Sequence, residues 1–175
     1  MMCKLVIRPA AAADIAAITA IYAHAVQHGT ASFEVAPPDE SEMASRFRGL
    51  ADAGFPYLVA ALEGAVRGYA YAGPYRTRLA YRYTLEDSIY VAPEFHGRGI
   101  GRALLDRLLA EATTRGFRQM IAVIGDSAQA ASIALHRSAG FRMVGTFEAI
   151  GFKFDRWLDT VLMQRPLGPG AGTAP

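Results

Sequence analysis

Ser88-Ile89-Tyr90-Val91-Ala92-Pro93-Glu94-Phe95-His96-Gly97-Arg98-Gly99-Ile100-Gly101-Arg102-Ala103-Leu104-Leu105 is the stretch whose reading decides the fold. A β-prone run stops at Pro93, three glycines alternate, and a helix opens with Leu104, Leu105, Leu108, Leu109 and Ala112 along one side before Gly116 ends it. In a strand, glycine turn and helix of this kind, the glycines let backbone approach a ligand. Unpaired N–H groups at the helix start then face its anionic oxygens. The pattern predicts a phosphate or pyrophosphate at residues 97–102, with a tight turn that binds nothing as the competing reading. A dinucleotide fingerprint would need a third glycine at 102 or 104, where Arg102 and Leu104 stand, and no Gly-Lys-Ser/Thr follows the turn. Both nucleotide motifs are therefore excluded.

Working outward, Lys4 to Arg8 reads as a strand closed by Pro9, and Ile15, Ile18, Tyr22 and Val26 recur at helical spacing behind Asp14. Residues 33–38 form a loop, and the acidic Asp39-Glu40-Ser41-Glu42 opens a second helix that Gly54 and Pro56 break. Tyr57 to Leu62 and Val66 to Ala72 flank Glu63-Gly64 as a hairpin. Tyr75 to Tyr83 interleaves arginine and tyrosine without a period and is placed in a structured loop. Met120 to Ile124 is an apolar strand suited to mid-sheet, Gln129 to Ala139 a fourth helix, and 143–150 and 157–163 two more strands. The reading is one α/β domain over residues 1–167 with a mixed sheet, followed by a frayed Gly/Pro/Ala-rich tail at 168–175.

Composition narrows the classes. The chain has 175 residues, 52% hydrophobic and 19% charged, enough for one compact core. A net charge of +2 is too small for a broad nucleic-acid-binding field. The single cysteine, Cys3, cannot form an internal disulfide. His24 and His28 stand at i and i+4 but lack an accompanying carboxylate motif, so no metal site is expected. Residues 15–33 carry no Asp, Glu, Lys or Arg, yet His24, Gln27, His28, Gly29 and Thr30 argue against a membrane span, and Asp14 against a secretory signal. A cytoplasmic protein is the expectation.

Residues Phe95 to Leu105 resemble the pyrophosphate-binding motif of the GNAT acyltransferases. Ala128-Gln129-Ala130-Ala131-Ser132-Ile133-Ala134-Leu135-His136-Arg137-Ser138-Ala139-Gly140-Phe141 resembles that family's second signature, at the expected interval. Gly68 to Arg76, Thr84 to Val91 and Gly151 to Asp159 are similar to the phosphinothricin and methionine sulfoximine acetyltransferase branch. The resemblance implies a mostly antiparallel twisted sheet of six to seven strands flanked by about four helices. It also implies acetyl transfer from acetyl-CoA to the α-amine of a small amino acid or analogue, and a homodimer. The neighbouring alternatives are a protein N-terminal or lysine acetyltransferase and a non-catalytic acetyl-CoA-binding domain. His96 and Gln129 depart from the family pattern, which has Gln or Arg and Asn there; the extra methylene of Gln129 displaces the amide that meets the cofactor arm.

Transfer from a thioester to an amine needs a base. Glu86, just before the 88–91 strand, can remove the ammonium proton directly or through water, and by resemblance holds the branch's base position; a solvated loop carboxylate is the other reading. His136 can donate to the leaving thiolate or be a helix histidine bonded for structural reasons. The resemblance assigns cofactor contacts to Ile89, Tyr90, Val91, Gly97, Arg98, Gly99, Ile100, Gly101, Arg102, Gln129 and Ser132. It assigns acceptor contacts to Phe33, Tyr75, Arg76, Thr77, Arg78, Tyr81, Asp87 and Ser88, with Arg76 and Arg78 able to fork onto a carboxylate or phosphinate.

Overall fold

The computed structural model describes residues 4–175, so the reading of Cys3 lies outside the described residues. Seven strands form one sheet: β1 (Leu5–Pro9), β2 (Tyr57–Leu62), β3 (Ala65–Pro74), β4 (Thr84–Val91), β5 (Gln119–Gly125), β6 (Arg142–Lys153) and β7 (Arg156–Pro166). Their spatial order is β1-β2-β3-β4-β5-β7-β6. Four helices, α1 (Ile15–His28), α2 (Glu40–Asp52), α3 (Ile100–Thr114) and α4 (Ala130–Ser138), flank it. The expected mixed, mostly antiparallel sheet is what forms, with β4 and β5 its one parallel pair.

Local chemistry accounts for the elements. Asp39 caps α2 by accepting from the Glu42 amide at 2.8 Å, as its acidic start predicts. Asp14 precedes α1, but its carboxylate takes the Arg8 guanidinium (2.7 and 2.8 Å) and the Ala11 amide rather than capping the helix. α1 has 14 residues, and among the described residues no helix is long and apolar enough to cross a membrane.

The sheet buries both faces, in two separate cores. On one, the leucine side of α3 (Leu104, Leu105, Leu108, Leu109) packs on Leu58, Ala70, Leu85, Met120 and Ala122. On the other, Ile15, Ile18, Tyr22 and Val26 of α1 meet Val59, Tyr57 and Tyr69. Five strands are longer than predicted, β4, β6 and β7 by four residues each. β4 starts at Thr84, because Thr84 to Asp87 pair with β5 on one side and Leu85 to Asp87 with β3 on the other; two adjacent carboxylates had hidden that alternation. β6 runs on to Lys153 across an irregularity between Phe147 and Gly151. Beyond the buried Leu167, Arg118 donates to the Gly170 and Ala174 carbonyls and to Thr173.

Gly68 on β3 lets α3 come close. A Cβ there would lie 3.0 Å from the Tyr90 carbonyl oxygen and 3.2 Å from side-chain carbons of both Ile100 and Leu104. Gly68→Val is therefore expected to lower stability by about 1–3 kcal/mol through overpacking, measured by urea unfolding. An unchanged midpoint would mean that α3 can shift freely on the sheet.

Candidate functional site

The parallel pairing of β4 with β5 ends at Asp87 opposite Ala122, although β4 continues to Val91 and β5 to Gly125. The strands part there. Ser88 to Val91 keep their pairing with β3 and leave the other backbone edge of β4 without a strand partner. The wedge so formed points from the middle of the sheet toward the start of α3.

The turn that follows is built by glycine. Gly97 and Gly99 have φ of 72° and 78°, the left-handed region, and a Cβ on either would meet nothing within 4 Å. Gly99 is the N-cap of α3 and no side chain caps the helix, so the amides that open it are offered outward beside a positive dipole end. This bears out the predicted strand, turn and helix as geometry. His96, the departure from the family pattern, donates from Nε2 to the Val91 carbonyl at 2.8 Å and ties the turn back to β4. Of the two arginines, Arg98 is exposed and lies over the Phe95 ring at 5.0 Å. Arg102 is committed to Asp106 (2.8 Å) and to Ser138 on α4.

β4 sends its side chains to opposite faces. Leu85, Ile89 and Val91 belong to the α3 core, and Asp87 shares their direction. Glu86, Ser88 and Tyr90 point toward α1 and α2, into a group of tyrosines: Tyr69 and Tyr90 stack at 5.3 Å, and Tyr22 meets Tyr90 edge-on at 5.0 Å. Ser88 stands directly opposite Tyr71 in the pairing of β3 with β4. Burial raises the Glu86 carboxyl above the usual range, the Asp87 charge adds to this, and Arg76 opposes it. A carboxylate so placed is a stronger base than a solvated one.

Asp87 and His136 are both buried, and Nε2 of the imidazole lies 2.9 Å from Asp87 Oδ2. Nδ1 donates to the Ser132 carbonyl at 2.8 Å, and the ring meets Phe141 edge-on. Burial alone would lower the pKa of this histidine, but the Asp87 hydrogen bond and charge, with the Ser132 carbonyl, outweigh it and leave it raised. Both ring nitrogens are engaged, so a proton passed from His136 to another group requires one of these bonds to break. Asp87 Oδ1 is buried without a partner.

The acceptor candidates fall into two groups. Arg76, Thr77, Arg78 and Tyr81 line one depression with Phe55 and Leu85. There Tyr75 meets Tyr81 edge-on at 5.7 Å and the fully exposed Arg76 lies over Tyr75. Phe33 lies elsewhere, in the segment between α1 and α2, against Gly125 and Gly151. Gln129, before α4, donates to Thr30 of the same segment at 2.9 Å. The tyrosine group and Lys153 were missed from sequence. The alternation of Tyr69 and Tyr71 opposite Tyr57 was a usable signal for the first; nothing local marks Lys153.

The sequence matches the model of the acetyltransferase (GNAT) family over residues 17–141. It is 53% identical over 173 residues to a phosphinothricin N-acetyltransferase of Alcaligenes faecalis, spanning 99% of this chain and 88% of that protein. It is 43% identical to an L-methionine sulfoximine/L-methionine sulfone acetyltransferase of Salmonella typhimurium, covering 93% and 95% of the two chains. The crystal structure of a phosphinothricin acetyltransferase of Sinorhizobium meliloti in complex with acetyl-CoA superposes with a TM-score of 0.95 at 54% identity, over 98% of this chain and 92% of that one.

The Asp87–His136 contact carries a pH signature. Because the folded pKa of His136 is raised, the stability it contributes is complete below about pH 6.5, the unfolded value, and is lost as pH rises through the folded value. Asp87→Asn is expected to cost about 1.5–3 kcal/mol near pH 6 and less toward pH 9, by urea unfolding. A difference that does not vary with pH would show that the pair is not held as imidazolium and carboxylate.

Proposed function

The chain belongs to the acetyltransferase (GNAT) family, and we propose that it acetylates the α-amine of a small amino acid or analogue, of the phosphinothricin and methionine sulfoximine type, in the cytoplasm. It is an acetyl-CoA-dependent N-acetyltransferase. The observation that carries the acceptor reading is the position of Glu86, half-buried on the α1-facing side of β4 at the point where β4 leaves β5.

The residues present fit coenzyme A. The open glycine turn and the uncapped start of α3 suit its pyrophosphate, held by the backbone of Gly97, Arg98, Gly99, Ile100, Gly101 and Arg102, while the Arg102 side chain stays on Asp106. The unpaired edge of β4 at Ile89, Tyr90 and Val91 suits an extended amide chain; Ser132 and Gln129, at the start of α4, are assigned to the same chain, the Gln129 side-chain amide being already engaged by Thr30. When bound, the cofactor supplies an acetyl group activated as a thioester. Glu86 takes the proton of the acceptor ammonium, and its raised pKa brings it closer to the amine's own. The fixed β4 backbone offers N–H groups to the carbonyl oxygen where charge develops. His136 holds Asp87 and the root of the wedge. Arg76, whose charge reaches Glu86, meets the acceptor's acidic end, with Tyr75, Ser88 and Phe33 around the acceptor; Asp87, buried on His136, lies on the other face of β4, and Thr77, Arg78 and Tyr81 line a depression with Leu85 on that same α3 side.

The apolar edge of the sheet supports a homodimer. β6 is the last strand, and Met143, Val144, Phe147, Ile150, Phe152, Phe154 and the adjoining Trp157 stand exposed along its hairpin with β7. Such a run on one strand edge calls for a cover, and a second copy of the same edge supplies one of matching shape. Phe152→Lys with Trp157→Lys is expected to give a monomer by light scattering where the parent is dimeric; an unchanged mass would move the interface elsewhere.

The enzymatic test is release of free thiol from acetyl-CoA with methionine sulfoximine, phosphinothricin, ordinary amino acids, polyamines and N-terminal peptides. Turnover is expected with the first two; turnover confined to peptides would overturn the small-acceptor reading. Glu86→Gln is expected to lower kcat by about 10²–10⁴ with acetyl-CoA affinity unchanged. In the parent, the rate should fall on acidification through a pKa above the ordinary glutamate range. Equal turnover in the variant would remove Glu86 as the base.

A further inference from the structure

Lys153, at the end of β6, is 5% exposed. Its ammonium donates to the Gly29 carbonyl at 2.9 Å and the Ser32 carbonyl at 2.8 Å, and lies 5.0 Å from the centre of the Phe154 ring. A lysine buried this far keeps its charge only where oxygens replace water, and here both oxygens belong to one short backbone segment, 124 and 121 residues away in sequence.

That segment spans the mouth of the wedge. On the β4 side, Ser32 and Glu34 meet the Tyr22 hydroxyl at 2.9 and 2.7 Å, and Tyr22 packs edge-on against Tyr90. On the β5 side, Gln129 holds Thr30, and the Phe33 ring fills a slot between Gly125 and Gly151, where a Cβ on either glycine would overlap it. The amide of Gln129, displaced by its extra methylene from the usual asparagine, is used inside the protein.

We propose that Lys153 is a positioning residue for acetyl transfer: through the Gly29 and Ser32 carbonyls it seats Phe33 in the Gly125–Gly151 slot and so sets the width of the acceptor site facing Glu86. The inference rests on the small-acceptor reading. Lys153 touches neither reacting group and acts through Phe33. Loss of the ammonium leaves two carbonyls without their donor and frees the segment, while β4, the glycine turn and the start of α3 stay as they are.

Two readouts test it, one independent of turnover. In hydrogen exchange without substrates, Lys153→Met is expected to speed exchange of the Glu34 amide, which is bonded to Ser32 Oγ, at least tenfold, with α3 unchanged; unchanged exchange of that amide would overturn the clamp whatever the enzyme's acceptor. In steady state with methionine sulfoximine, Lys153→Met should raise the acceptor KM at least tenfold and leave the acetyl-CoA KM within twofold. Phe33→Ala should do the same, and the double variant should be no worse than either single one. Additive losses, or a fall in kcat at constant acceptor KM, would reduce Lys153 to a fold-stabilising residue. Gly151→Ala, which keeps Lys153 and evicts Phe33, covers the case in which Lys153→Met does not fold and must show the same KM shift. An absence of turnover in the parent with every small acceptor would count against the acceptor reading, while the exchange result would still decide the clamp.

Discussion

The parting of β4 from β5 after Asp87 and Ala122 is the constraint on which the other features depend. Parallel neighbours need a crossover, and here α3 makes it, beginning at the far end of β4 and returning to the start of β5. Had the two strands stayed paired, the β4 amides from Ser88 onward would be used within the sheet and α3 would start over a closed edge. Separation leaves a backbone edge, a helix start and a glycine turn in series, an arrangement complementary to a long ligand with amides along its length and an anion at its end.

The alternation of β4 then divides labour between the faces. Glu86 and Asp87 are neighbours in sequence, yet one enters the tyrosine-lined side under α1 and the other the side under α4. Glu86 stays half-buried and titratable, while Asp87 is consumed by His136. The two carboxylates still feel one another through the strand, which contributes to the raised pKa of Glu86. A fixed charge beneath and a responsive one above is a simple way to tune a carboxylate with two adjacent residues.

Legibility in the sequence followed the range of the interactions. The 97–101 turn and the apolar side of α3 are local, so spacing alone marked them. Glu86 could be placed at the root of a strand, but the strand's true start at Thr84 depends on pairing with Gln119 and Ala122, more than 30 residues away. His136 was open between acid and structural roles because its partner Asp87 is 49 positions distant and no period links them. Lys153 was unreadable for the same reason: a buried lysine looks solvated until the carbonyls of residues 29 and 32 are brought to it.

The hairpin of β6 and β7 has a spectroscopic side. Trp157 is the only tryptophan in the chain, 64% exposed, with Phe152 as its edge-on neighbour at 5.3 Å. Emission excited at the red edge of the protein band therefore comes from a single indole, free of the tyrosines stacked beneath α1. With the strand bare, that indole is bathed in water and emits at long wavelength. Anything that settles on the strand strips water from it and moves the emission to the blue, so the molecule carries its own optical gauge of whether this edge is covered.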